Sequence, residues 1–173
     1  MKKIIYVAVA MLIFASCEKS KKIGFVDNGT VINDYQEKKD VEAKYQKKEE
    51  AFRIKFDSID KAFELEVQEF QSGAKKMSQV KAQAKYQELG QKKQTQDQQK
   101  QYEAQLFQQA FQTEIDSIII KVKDYVKDYG KSNNYTYILG TSDAAASVLY
   151  GAEENDLTQT ILDSLNAKYE KVK

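Results

Sequence analysis

From Tyr35 to Tyr129 the apolar residues of this chain recur at helical steps, and nowhere in its 173 residues is there a proline to interrupt them. A pattern of that length leaves few folds open. It calls for long helices paired along a seam, not a compact sandwich or a wound sheet. The first half of the pattern is carried by Val41, Tyr45, Phe52, Phe56, Ile59, Phe63, Phe70, Ala74 and Met77. Phe56, Phe63, Phe70 and Met77 fall seven apart, which is a heptad row. The companion row holds at Phe52 and Ile59, then fails at Glu66 and Gly73, while Val67 and Ala74 sit one place later. The expectation is a coiled-coil-like seam whose register wanders.

The first helix should end between Gly73 and Val80, with Ser78 capping a second that runs to Tyr129 and stops at Gly130. Phe107, Phe111, Ile115, Ile118, Val122, Tyr125 and Tyr129 give the second helix its apolar face. Two helices of roughly 45–50 residues, each about 70 Å long, joined by a short turn must lie antiparallel. The stretch Gln87–Gln105 is nearly all polar, with Leu89 and Tyr102 as its main apolar side chains. The apolar content is therefore concentrated away from the turn. Gly73 and Gly90 weaken the helices near the turn by about 1 kcal/mol each relative to Ala, so bending is expected there.

Short strands flank this hairpin. Ile23–Asp27 reads as a strand ended by an Asn28-Gly29 turn, and Asn33 or Asp34 as the cap of the first long helix. Tyr135–Leu139 alternates, and Ala146–Tyr150 reads as a third strand. Asn155 or Asp156 should cap a last helix with Leu157, Ile161, Leu165 and Tyr169 on its buried face. Three short strands and one small helix bury too little to stand alone and leave open edges. Other copies of the chain are expected to complete them.

The N-terminus reads as an export signal. Lys2 and Lys3 precede an apolar run from Ile4 to Phe14, and Ala15-Ser16 stand directly before Cys17, the only cysteine. Ile13–Cys17 resembles a bacterial lipobox, with Phe14 where Leu is typical, and marks Cys17 as a lipid attachment site. An ordinary signal peptide cut near Ala15-Ser16 is the alternative. The mature chain is expected in the periplasm of a Gram-negative-type envelope.

The residue inventory excludes much chemistry. There is no histidine, so His-dependent nucleophilic catalysis and His-ligated metals are out, and one cysteine makes neither a disulfide nor a cysteine cluster. A net charge of +1 carries no nucleic-acid signal. Asp57, Asp60, Glu64, Glu66 and Glu69 read as solvated helix surface, not as a catalytic set. No cofactor is expected. Lys75, Lys76, Lys81, Lys85, Lys92 and Lys93, with Lys100, make a basic end to the hairpin that faces only Glu88 and Asp97. Its partners would be water or, more sharply, anionic lipid, lipopolysaccharide or acidic stretches of another chain.

The order of parts resembles the Skp (OmpH-like) family of periplasmic chaperones for outer-membrane proteins. The resemblance is carried by Ile23–Asp27 running into a helix, the hairpin turning at Met77-Ser78, and Tyr135–Leu139. Ser147–Tyr150, then Asp156-Leu157-Thr158 with Leu165-Asn166, complete it. It implies a mainly α fold with a small β body, a homotrimer, and three hairpin tentacles around a cavity that holds unfolded outer-membrane β-barrel proteins without ATP. Residues 1–16 would be the signal, 17–22 a tether, 23–33 and 130–173 the oligomerisation body, and 34–129 the tentacle with its turn at 76–82. Ile23, Phe25, Tyr135, Tyr137, Leu139, Val148, Leu149 and Tyr150 are the candidate body residues. A coiled-coil structural or adaptor lipoprotein with no client is the competing reading.

Overall fold

The computed structural model describes residues 21–142 and 147–171. The signal segment 1–16 and Cys17 lie outside the described residues. The described chain runs β1 (Ile23–Asp27), α1 (Asn28–Asp34), α2 (Gln36–Gly73), α3 (Gln79–Ser132), β2 (Tyr137–Thr141) and α4 (Thr158–Glu170). Single 3-10 turns lie at Ala74–Lys76 and Glu153–Asn155.

α2 and α3 form the expected antiparallel hairpin, but with unequal limbs of 38 and 54 residues. The inequality arises at both ends. The turn falls at 74–78, where Ser78 Oγ accepts from Lys81 N–H and caps α3. At the other end α3 continues past the start of α2 into the body.

The long parallel connection between β1 and β2 is the hairpin itself. The strands pair in register from Ile23 with Tyr137 to Asp27 with Thr141. On the other edge of β1, Leu157 N–H donates to Phe25 O at 2.9 Å. At Gly24 an added Cβ would stand 2.6 Å from a Leu157 methyl, so the strand needs a residue without one there. The core lies where this edge, α1, the body end of α3 and one face of α4 meet. Val26, Val31, Tyr35, Ile118, Val122, Leu157, Ile161, Leu162 and Leu165 are buried in it. The predicted apolar face of α4 is thus the face that packs.

Several boundaries differ from expectation, each for a local reason. Asn28-Gly29 is the first turn of α1 and not a strand-ending turn, because the Asp27 side chain accepts from Thr30 N–H at 3.0 Å and caps a helix there. Neither Asn33 nor Asp34 caps α2. They accept instead from Lys38 and Lys39 (3.2 and 3.0 Å), and the Gln36 N–H donates to Asn166 Oδ1 of α4 at 2.9 Å. Gly130 does not end α3. The helix runs on to Ser132, and Asn134 takes the left-handed conformation at φ 58°. Tyr135 N–H then donates to Gly130 O and Asn134 N–H to Lys131 O, a Schellman motif with asparagine in the glycine's usual place. Gly130 is instead buried under Ile138, whose Cδ1 would lie 3.2 Å from an added Cβ.

β2 is displaced by two residues from Tyr135–Leu139, because Tyr135 turns in to pack on the core. The strand expected over Ala146–Tyr150 is not formed in its described part. Residues 147–150 are bent and unpaired, with Leu149 93% and Tyr150 88% exposed. A strand needs a ladder partner, and among the described residues none pairs with 147–150.

Candidate binding surface on the helical arm

The two limbs meet first through aromatic rings. Tyr45 of α2 packs on Phe107 and Phe111 of α3, centroids 5.3 and 5.0 Å away. Phe52 packs at a tilt on Phe56 at 4.6 Å and approaches Phe107 at 6.5 Å. Phe56 is only 2% exposed. Tyr45 donates its hydroxyl to Glu114 Oε1 at 2.9 Å, and Lys44 pairs with the other oxygen. The lysine bond, and then the tyrosine hydroxyl, hold the Glu114 carboxyl below the usual range against the opposing effect of burial. Burial, reinforced by Glu114, pushes the Tyr45 phenol up.

This aromatic layer is one side chain thick and open to solvent on both faces. On one face a groove of about 910 Å³ is floored by Tyr45, Phe52, Phe107 and Phe111, with Glu42, Gln46, Glu49 and Gln108 around it. On the other, a shallower groove of about 460 Å³ shows Phe52 and Phe107 again, beside Leu106, Ala51, Lys48 and Lys55. Large apolar side chains also stand on the arm's outer surface: Ile54, Leu65, Tyr86, Tyr102 and Ile120 are all more than half exposed. Such a surface is apolar, adaptable and without a shaped pocket. It fits an extended, irregular polypeptide better than a small molecule.

Beyond the aromatic layer the seam changes character. Leu89 is buried, but the polar stretch is held mainly by ion pairs across the limbs. Glu66 takes Lys85 at 2.9 Å and also Lys92, Asp60 takes Lys93 and Lys100 at 3.2 Å each, and Glu103 takes Lys55 at 2.6 Å. The lysine bonds hold the carboxyls of Asp60, Glu66 and Glu103 below the usual range. Lysine charges also ride over rings, Lys100 5.6 Å from Phe56 and Lys93 5.9 Å from Phe63. The polar helix therefore has an inside, built of stems and charges.

That arrangement divides the basic end foreseen from sequence. Lys85, Lys92 and Lys93, with Lys100, are paired across the hairpin, whereas Lys75, Lys76 and Lys81 at the turn make no ion pair among the described residues. Counting acids on one limb alone missed Asp60 and Glu66 on the other. Their place opposite the lysines follows once the turn is fixed at Ser78, and that was the signal available. The body residues foreseen from sequence divide too. Ile23, Tyr137, Leu139, Leu149 and Tyr150 are exposed, Phe25 and Val148 half-buried, and Tyr135 packs on the core, with Lys22 Nζ 4.0 Å above its ring. Among the described residues no three His, Cys, Asp or Glu side chains converge as a metal site.

The described chain is thus a long helical hairpin rooted in a small two-stranded sheet, with an aromatic seam between its limbs. The family described as Outer membrane protein (OmpH-like) matches residues 22–165, and the chain belongs to that family, which is not one of enzymes. The fold is shared with the crystal structure of an OmpH-like protein from Caulobacter crescentus CB15, described as an outer membrane chaperone. The TM-score is 0.76 at 11% identity, over 86% of this chain and 85% of that one. No curated protein matches the sequence.

Proposed function

We propose that this chain is an ATP-independent holdase of the periplasm, which shields unfolded outer-membrane β-barrel proteins from aggregation between helical arms. Membership of the OmpH-like family supports the chaperone role. The observation that carries the holdase reading is the arm's aromatic seam, open on both faces. An unfolded barrel exposes alternating apolar side chains that aggregate when left free. Contacts with Phe52, Phe107, Leu106 and Tyr102 are individually weak, but many along one chain sum to a long-lived hold.

The working form in this reading is a homotrimer whose body comprises 23–33 and 130–173 and whose arm comprises 34–129. Leu149 and Tyr150, exposed on an unpaired segment, supply the third strand when copies meet, and Ile23, Tyr137 and Leu139 supply apolar surface beside it. Lipid on Cys17 ties the assembly to a membrane. Lys75, Lys76 and Lys81 leave a free positive end at the turn for acidic stretches of client or for anionic lipid headgroups.

The test is to dilute a urea-unfolded outer-membrane barrel protein into buffer with the purified mature chain. Suppressed light scattering at a fixed ratio of arms to client supports the holdase. Scattering unchanged by the chain overturns it and leaves a structural lipoprotein.

A further inference from the structure

We infer that the chain meets its membrane with the pole of the body opposite the arm's tip, so that the arm projects away from the bilayer that anchors it. The inference rests on the lipidation of Cys17 proposed above and adds the direction of the arm. It comes from the path of one helix. α3 begins at the tip, after Ser78, and is continuous for 54 residues to Ser132. Lys121 pairs with Glu37 at the root of α2, so the last three turns of α3 extend beyond that root, on the side away from the tip.

The start of the described chain lies at this far end. Thr136 N–H donates to Lys22 O at 2.7 Å, and Lys22 Nζ donates to Asn133 O at 3.3 Å, just past the end of α3. A 54-residue helix is about 81 Å long, so Lys22 and the tip stand at opposite ends of the molecule. Cys17 precedes Lys22 by five residues, which reach at most about 18 Å when fully extended. An anchor on Cys17 therefore holds the far pole close to the bilayer and leaves the tip at least about 60 Å from the anchor point.

The charge at the pole is mixed, so the direction of the arm rests on the path of the chain. Lys21, Lys22 and Lys131 are exposed there, and so are Glu153 and Glu154 of the 3-10 turn that packs against the other edge of β1. The binding seam and the turn lysines are consequently presented to whatever lies across the periplasm, away from the anchoring leaflet.

Because Cys17 is the only cysteine, the mature chain can be coupled through it to a maleimide lipid in a supported bilayer of phosphatidylcholine and phosphatidylglycerol. Neutron reflectometry then gives the protein density along the membrane normal. The expected profile extends about 80 Å or more from the headgroups and is densest beside them. A layer no thicker than one or two helices, or one densest at its outer edge, overturns the orientation. Mass spectrometry of the N-terminal peptide from the full chain made in a Gram-negative host tests the anchor separately. An unlipidated Cys17 overturns the membrane attachment, whereas a lipidated Cys17 with a flat layer overturns only the direction of the arm.

Discussion

Replacing Asn166 with alanine should loosen the root of the arm while sparing the rest of the molecule. The first N–H groups of a helix have no partner inside it, and in α2 the Gln36 N–H is satisfied from another element, by Asn166 Oδ1 at 2.9 Å. Loss of a capping side chain costs about 0.5–2 kcal/mol. Gln36 is exposed, so water partly replaces the lost acceptor, and about 1 kcal/mol is the figure to expect. At room temperature that is about a fivefold change in a local opening equilibrium. Within α4 itself alanine is the better helix former, so global stability should change little. The assay is amide exchange resolved at Gln36, Lys38 and Lys39, the latter two donating to Tyr35 O at 3.0 and 3.2 Å. Those three should exchange about fivefold faster, with core amides such as Ile161 unchanged. Asn166→Asp keeps the acceptor and should restore protection. Unchanged rates at all three positions in the alanine variant would refute the idea that α4 fixes the arm to the body.

Phe56→Ala should cost about 3–5 kcal/mol locally and open the aromatic seam, read as faster exchange in the middle of both limbs while the body keeps its protection. Tyr150→Glu should shift the sedimentation coefficient from that of the proposed trimer towards monomer without loss of helical circular dichroism; a trimer that persists contradicts the assembly role of that segment. The carboxyls of Asp60, Glu66 and Glu103 are held below their ordinary values, so their pairing is intact above about pH 4.3 and is lost as pH falls through the lowered values. Exchange in the distal limbs should accordingly be insensitive to pH between about 7 and 5, after correction for intrinsic rates, and rise below about 4. Added salt should produce a milder version of the same loosening at neutral pH.

The parts legible in sequence were those specified by residues close together in the chain. The steps from Tyr45 to Phe56 and from Phe107 to Tyr129, and the short link capped by Ser78, are local signals, and the hairpin follows them. The same holds for Leu157, Ile161 and Leu165 on α4. What escaped was set by distant partners. Asn166 is a cap only because α4 folds back on Gln36, so Asn33 and Asp34, the nearer candidates, were the natural reading. Glu66 and Asp60 neutralise lysines that looked free on their own limb. Gly130 had the composition of a helix stop, yet the reversal is made by Asn134, and the glycine lies closely packed under Ile138. Residues 147–150 have strand composition and form no strand, because no edge among the described residues pairs with them.

The central claim is that the open seam of the arm is what holds an unfolded chain. Its most direct test is to place a benzoylphenylalanine photo-crosslinker at Gln108 or Leu106, one beside each groove, and at Lys131 on the far pole. Irradiation with an unfolded outer-membrane barrel protein should give adducts from both groove positions and none from the pole. Adducts at Lys131 with none at Gln108 or Leu106 would contradict the claim.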